Sequence, residues 1–510
     1  MKSIATGLLI FASVAYAAVV EYNFTVGWHN AAPDGVEKRM NLVNGLFPGP
    51  EVRANVGDTV RIHMKNDLGD NGTSIHFHGI NQKGTPFSDG VPGVTQWLTK
   101  PGDTYTYEFV PDEAGSSFWH SHMGIQYPLG MVGSIIVDEK KGAWEYDDEH
   151  VVILTDHFDL SEWTLLARAM QPNMDDPLVD NLLICSKPGS CNKNQTQKFN
   201  FEAGKTYRLR VINMSANSYF RFSVDDHDVQ IIQTDFGQTN GSYAKWVPLA
   251  PAQRLDLLLH TKKEQKENVW IRAVSMTKCM GELKHGVSDE VRAVGVFVDK
   301  SVTPSTKAHE FESRKKCYVL EPHQYAPRTK SPAHRKPIQT IRLEGNVSKN
   351  KQHILLGTLN NITFTDKNNA VNPTLFELQA GKNASEFARY RNTYVIPKKG
   401  PIHVLFDGIQ EEDPHPYHMH GHTFKLLGIV PSPFDPKNTT GLNFDAPAHL
   451  DTVLVPGNHT AVLEIMADNP GSWMVHCHMD WHLARGFAAQ LVELPNLFFS
   501  KYGRNSTEST

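Results

Sequence analysis

The chain has 510 residues, 40% of them hydrophobic, with 50 Lys and Arg set against 55 Asp and Glu. That length supports two to four domains, each with its own core. A formal net charge of -5 leaves neither a basic face for nucleic acid nor a polybasic patch for a membrane surface.

Residues 1–17 carry Lys2, an apolar run from Ile4 to Val14 and the small-residue site Ala15-Tyr16-Ala17. This is the pattern of a secretory signal peptide, and the run is too short to span a bilayer. A soluble, secreted, extracellular protein starting near Ala18 is expected, with no membrane partner and as a monomer. Eleven Asn-x-Ser/Thr sequons fit N-glycosylation: Asn23, Asn71, Asn194, Asn213, Asn240, Asn346, Asn361, Asn383, Asn438, Asn458 and Asn505. Asn213 lies within the apolar run RLRVINM and is expected to be buried.

Beyond the leader, short strand-like runs alternate with Gly, Pro, Asn and Asp, and helical periodicity is sparse. An all-β chain of sandwiches or barrels follows. Three stretches share a glycine turn followed by an alternating strand: VRANVGDTVRIHMKND (52–67), FNFEAGKTYRLRVINM (199–214) and NTYVIPKKGPIHVLFD (392–407). Three related units are implied. A second repeat joins the outer two, since KPGDTYTYEF leads to AGSSFWHSH (114–122) and VPGNHTAVLEI leads to NPGSWMVHCH (469–478). The middle unit has PLAPAQRLDLLL (248–259) and VWIRAV (269–274) with no histidine pair after them, and reads as a spacer. The expected boundaries are 18–140, 141–299 and 344–510, with the Lys- and Pro-rich residues 300–343 as a linker over the surface.

Histidine accounts for 25 of the 510 residues, yet HPYHMHGH (415–422) holds four and HCHMDWH (476–482) three. On a strand, residues two apart project from one face. Each of the pairs His76 and His78, His120 and His122, His418 and His420, and His476 and His478 therefore presents two imidazoles together. Cys477 points to the opposite face from its flanking histidines, so one strand can serve two metal sites. A soft thiolate with imidazoles suits copper, and Cys477 with His415 and His482 makes a trigonal His2Cys set. Zinc is the competing metal, but structural zinc sites are closed four-ligand sets and ten histidines exceed a catalytic one. Five cysteines less Cys477 leave four, which allow three pairings; Cys185 with Cys191 and Cys279 with Cys317 is the simplest by proximity.

The HxxHxH and HCHxxxHxxxxF patterns resemble the copper signatures of the multicopper oxidases, particularly fungal-type laccases. The resemblance implies three cupredoxin-like domains of Greek-key β-barrel or sandwich type and four coppers. It implies His76 and His418 at the type 2 copper, His78, His120 and His478 at one type 3 copper, and His122, His420 and His476 at the other. His415, Cys477 and His482 would hold the type 1 copper, with Phe487 at the axial position where some relatives have Met. Asp89 matches a carboxylate near the type 2 copper and Asp480 one beside the type 3 pair. By residue type alone they read as a turn Asp before Gly90 and a helix-start Asp. Asp180 matches an acid that meets substrate near the type 1 copper, although ICSKPGSC departs from the family pattern there and a turn or cap role competes. His422 falls outside the ligand pattern and is expected to support it, while His150, His227 and His353 carry no pairing signal.

The implied activity is oxidation of phenols or aromatic amines with O2 as acceptor. A ferroxidase acting on Fe(II) is the alternative, with Asp180, Glu411, Glu412 and Asp413 as acids for iron, although the membrane anchor common in fungal iron-uptake oxidases has no counterpart in the sequence. Ascorbate oxidation is disfavoured by Phe487, because those relatives typically have Met there. A non-catalytic copper-binding protein is disfavoured because every ligand position is filled.

Overall fold

The computed structural model describes residues 17–139, 142–279, 282–310, 317–365, 372–409 and 413–503. Residues 1–16 of the expected signal peptide, Glu411 and Glu412 lie outside the described residues. Six sheets form three units, each built from two sheets around one core. The fold is all-β, with three cupredoxin-like domains.

In the first unit, strands Lys38–Val43, Val19–Ala31, Thr59–Asn66 and Thr104–Phe109 form an outer sheet. Its strand Thr59–Asn66 alternates buried with more exposed side chains, as a sheet with one face on a core and one toward water must. The second sheet orders Val52–Asn55, Val132–Asp138, Gly115–Ser121 and Ile75–Phe77. Here Gly115–Ser121 is buried along its whole length. The third unit repeats the contrast: His459–Ala467 lies in a six-stranded outer sheet, while Gly471–Cys477 is buried throughout in a five-stranded inner one. The strands bearing the histidine pairs are thus covered on both faces.

The repeat seen in the sequence holds at the level of register. His76 lies opposite His120 across Ile75–Phe77 and Gly115–Ser121, and His418 lies opposite His476 across His415–Met419 and Gly471–Cys477. The next pair matches too, with His78 N–H donating to the Phe118 carbonyl and His420 N–H to the Met474 carbonyl. Each pair ends on a glycine with positive φ, 74° at Gly79 and 72° at Gly421. A Cβ at Gly79 would come 2.5 Å from Asp451 Oδ2, and one at Gly421 2.3 Å from Trp473, so both turns need the missing side chain.

The middle unit packs a seven-stranded sheet on a five-stranded one around Leu209, Phe222, Leu257 and Ile271. Asn213 is fully buried there, its Nδ2 donating to the carbonyls of Ser218 and Leu249, so the chain spends that sequon on its core. Cys185 pairs with Cys191 and Cys279 with Cys317, the connectivity that proximity favoured, and Cys477 is buried and free.

One expected boundary shifts. Strand Gln339–Lys349 begins five residues inside the anticipated linker, because residues 339–344 pair in parallel with Gly400–Asp407. Earlier in the same segment Tyr318, Val319 and Tyr325 pack against the third unit's core, so apolar burial anchors the crossing. Among the described residues, no helix is long and apolar enough to cross a membrane.

Candidate metal centres

Eight imidazoles from the first and third units meet at their interface. His76 stacks on His420 at 3.8 Å between ring centroids and His78 on His418 at 3.7 Å, so the two units interleave their pairs. The donor atoms fall into sets lying within 4.8 Å of one another: His76, His78 and His418; His78, His120 and His478; His122, His420 and His476. The last two are the triads that the resemblance implied. His420 Nε2 and His476 Nε2 stand 3.1 Å apart.

The outward ring nitrogens are fixed by the chain itself. Nδ1–H donates to a backbone carbonyl in His76 (Asp89, 2.7 Å), His120 (Ser121, 2.9 Å), His418 (Asp451, 2.8 Å) and His476 (Cys477, 2.9 Å). His420 Nδ1 donates to Asp89 Oδ2 at 3.0 Å. These bonds set the tautomer that leaves Nε2 with its lone pair facing inward. His78 is turned the other way, its Nε2 lying 3.1 Å from Asp451 Oδ1.

The inward nitrogens are left as free donors. Nε2 of His76, His120, His122, His418 and His478 and Nδ1 of His78 are buried with no hydrogen-bond partner. Burial first, then the neighbouring imidazoles, hold His78, His122, His418 and His420 well below the ordinary histidine pKa, and His120 and His478 are lowered chiefly by burial. His476 is brought down to about 4 by burial. So many neutral, unsatisfied rings would be costly unless metal ions took their lone pairs.

On the far face of strand Gly471–Cys477, Cys477 Sγ lies 3.6 Å from His482 Nδ1, and the His415 and His482 rings stack at 5.0 Å. Phe487 is fully buried beside this group, 5.6 Å from His415 and 6.2 Å from His482 between ring centroids. Its carbonyl accepts from Cys477 N–H at 3.1 Å, so its backbone is pinned to the sulfur-bearing residue. His415 Nδ1 donates to the Asp413 carbonyl and leaves Nε2 buried without a partner. This set thus offers a thiol and two imidazoles to a single soft ion.

The acids divide. Asp89 is fully buried between the two units, within 3.3 Å of His76 Nδ1 and 3.0 Å of His420 Nδ1. Asp480 is buried at the first turn of helix Asp480–Ala484, its N–H donating to the Ala216 carbonyl, and its charge raises the phenol pKa of Tyr127, behind burial and Asp156. Tyr127 itself packs on His120 at 4.7 Å and on His478 at 6.1 Å. Asp180, for which a turn or cap role competed with a substrate role, accepts from Asp159 N–H at 2.8 Å and pairs with Lys284 at 2.7 Å. The acid at the edge of the sulfur site is instead Asp176, with Oδ2 3.2 Å from His482 Nε2 and Oδ1 bonded by Arg485. Burial opposes both charges, yet the pair prevails: Asp176 is held down at about 2, and His482, favoured also by Cys477, is lifted to about 10. Asp176 sits in a run of polar residues with no periodic signal, which is why the sequence hid it. His422 lies outside the triads and its Nε2 meets Glu493 at 2.8 Å, consistent with support.

The middle unit does more than space the others. Its fully buried Arg254 donates to Asp451 Oδ1 and Oδ2 at 2.6 and 2.5 Å and to the Ser116 carbonyl at 3.1 Å. Asp235, from the same unit, accepts from the N–H groups of Asp451 and Thr452. Asp451 is the residue that meets His78 and His418, so all three units share one buried ionic knot against the histidines.

Multicopper oxidase family models match residues 25–142, 148–300 and 356–496. Laccase-1 of Cryptococcus neoformans is 31% identical over 93% of this chain and 80% of its own length. The iron transport multicopper oxidase FET3 of Kluyveromyces lactis is 31% identical over 97% of this chain and 79% of its own. In structure, the laccase from Botrytis aclada superimposes with a TM-score of 0.86 at 26% identity, covering 96% of this chain and 90% of that one. Fet3p, a multicopper oxidase that functions in iron import, gives 0.85 at 26% identity, with 96% and 93% covered. With these matches and the buried imidazole sets together, the chain belongs to the multicopper oxidase family, an oxidoreductase with one type 1, one type 2 and two type 3 coppers as its cofactor.

Proposed function

We propose that the protein is a secreted, laccase-like oxidase coupling one-electron oxidation of phenols and aromatic amines to four-electron reduction of O2 to water. In this reading His415, Cys477 and His482 hold the type 1 copper, and His76 and His418 the type 2 copper. His78, His120 and His478 hold one type 3 copper and His122, His420 and His476 the other. When bound, the coppers supply single-electron acceptance at the sulfur site and oxygen reduction at the cluster.

The chain's own residues set the conditions for that chemistry. Cys477 is joined to His476 and His478 by consecutive peptide units, which gives the two centres a short covalent connection. Phe487 presents a ring without a donor lone pair to the sulfur site, which favours a high reduction potential and therefore reluctant substrates. Water formation consumes four protons, and Asp89 and Asp480 are two buried carboxyls near the cluster that can carry them. Secretion rests on the apolar leader and is supported by the two disulfides, which persist in oxidising compartments.

The observation that carries the preference for organic substrates is the state of Asp176. Its carboxylate accepts at the edge of His482, where a phenol O–H or amine N–H can be received, but its charge is already balanced by Arg485. A neutralised carboxylate is a good hydrogen-bond acceptor and a poor trap for a hard dication. Fe(II) is the second reading, favoured by the equal similarity to laccase and iron-transport relatives. Oxygen uptake with a methoxyphenol, ferrous iron and ascorbate, compared as kcat/KM, decides between them. The phenol is expected to lead, with Asp176→Asn raising its KM. Iron ahead of the phenol by an order of magnitude would overturn the laccase reading.

A further inference from the structure

A second group of ligand-type side chains lies away from the copper sites, where the first unit meets the middle one. Asp34 comes from the loop between strands Val19–Ala31 and Lys38–Val43, and His157 and Asp159 from the end of strand Asp148–His157 and the residues after it. One donor atom from each of the three falls within 4.8 Å of the others. His157 is fully buried, with Nε2 3.7 Å from Asp34 Oδ1, and neither of its ring nitrogens has a hydrogen-bond partner. Asp159 Oδ1 is likewise buried and unpartnered. Asp34 is held in place by the Val36 N–H at 3.0 Å and Asn181 Nδ2 at 2.8 Å.

A buried imidazole with two idle nitrogens beside two carboxylates is a costly arrangement as it stands. The nearby cation Lys38 offsets part of the carboxylate charge while its Nζ donates to the Phe158 carbonyl, but both ring nitrogens of His157 remain without a partner. What the three side chains share is the ability to donate lone pairs to one ion. We infer that Asp34, His157 and Asp159 form a fifth metal site, for a divalent first-row cation of zinc type, which staples the first unit to the middle one.

One imidazole with two carboxylates suits zinc or its neighbours better than calcium or magnesium, which prefer oxygen alone. No redox step is involved.

The test uses copper-loaded holoprotein titrated with Zn2+, with calcium and magnesium as separate arms. One equivalent of zinc should survive gel filtration with all four coppers retained, and should raise the Tm. His157→Gln and Asp159→Asn should each lose that equivalent and the Tm rise while keeping copper and the visible absorption band. Zinc that fails to bind, binds no better than calcium, or persists in both variants overturns the inference. Should the variants lose copper, zinc K-edge absorption on the wild-type protein decides: a shell containing one imidazole upholds the site, and a shell of oxygens alone overturns it.

Discussion

The first and third units carry the same device with one substitution. His76 faces His120 as His418 faces His476, both pairs close on a positive-φ glycine, and the residue between the second pair is Ser121 in one and Cys477 in the other. Around that position the surroundings diverge completely. Ser121 Oγ donates to Gln126 Oε1 at 2.9 Å and accepts from Met123 N–H, a closed polar arrangement. Cys477 instead meets His482 and sits among Tyr417, Met479 and Phe487 in the third unit's core. Imidazole pairs are thus a property of the shared frame, whereas a sulfur site requires the frame plus a loop and a helix that only the third unit supplies.

The most damaging way to test that asymmetry is Cys477→Ser, which makes the third strand like the first. The intense visible charge-transfer band should vanish and phenol turnover fall to the uncatalysed rate, with three coppers retained per chain. Survival of the band would break the comparison at its root. Next comes Arg254→Met, which removes the middle unit's cation from Asp451. Breaking one partner of a buried pair costs about 3–5 kcal/mol, so the Tm should fall and the type 2 electron paramagnetic resonance signal should change. An unaltered signal would mean that the knot holds the units together without orienting His78 and His418.

Asp89→Asn and Asp480→Asn probe the proton supply of the shared cluster. Each is expected to slow reoxidation by O2 roughly 10²-fold, the lower end for positioned acid groups, while anaerobic bleaching of the visible band by phenol proceeds at the wild-type rate. Equal slowing of both half-reactions would point to lost structure. A smaller effect is expected in the outer sheets, where Glu108 of the first unit is half exposed and Glu464 of the third is buried against His334, His403 and Lys425. Burial raises the Glu464 pKa, but its histidine and lysine neighbours outweigh burial and lower it from 4.5 to about 2. A depressed carboxyl stabilises the fold above its unfolded pKa, and the contribution is lost as pH falls from about 4.5 toward 2. Glu464→Gln should flatten acid unfolding in that window, and an unchanged profile would refute the assignment. Ser121→Cys should do least of all, leaving the visible spectrum as it was. A second blue band would show that the thiol alone makes the site.

What the sequence disclosed was whatever has a period or a spacing. The histidine pairs two apart announce a strand face, the repeated glycine turns announce related units, and Cys477 between two histidines announces two sites on one strand. Single charged residues joined across long stretches left no such trace. Arg254 meets Asp451 across 197 positions and Asp176 meets Arg485 across 309, and no spacing in the sequence links either pair. Asp180 was singled out because it lies near the right place in the chain, four residues from the acid that the loop turns toward His482. The middle unit was underestimated for the same reason, since it lacks histidine pairs and contributes through isolated Arg254 and Asp235.

The knot of Arg254, Asp235 and Asp451 also makes the imidazole cage a property of the whole chain. Asp451, which meets His78 and His418, is held by residues some two hundred positions upstream, so a change in the middle unit, which donates no imidazole to the triads, is able to reach them through a single carboxylate.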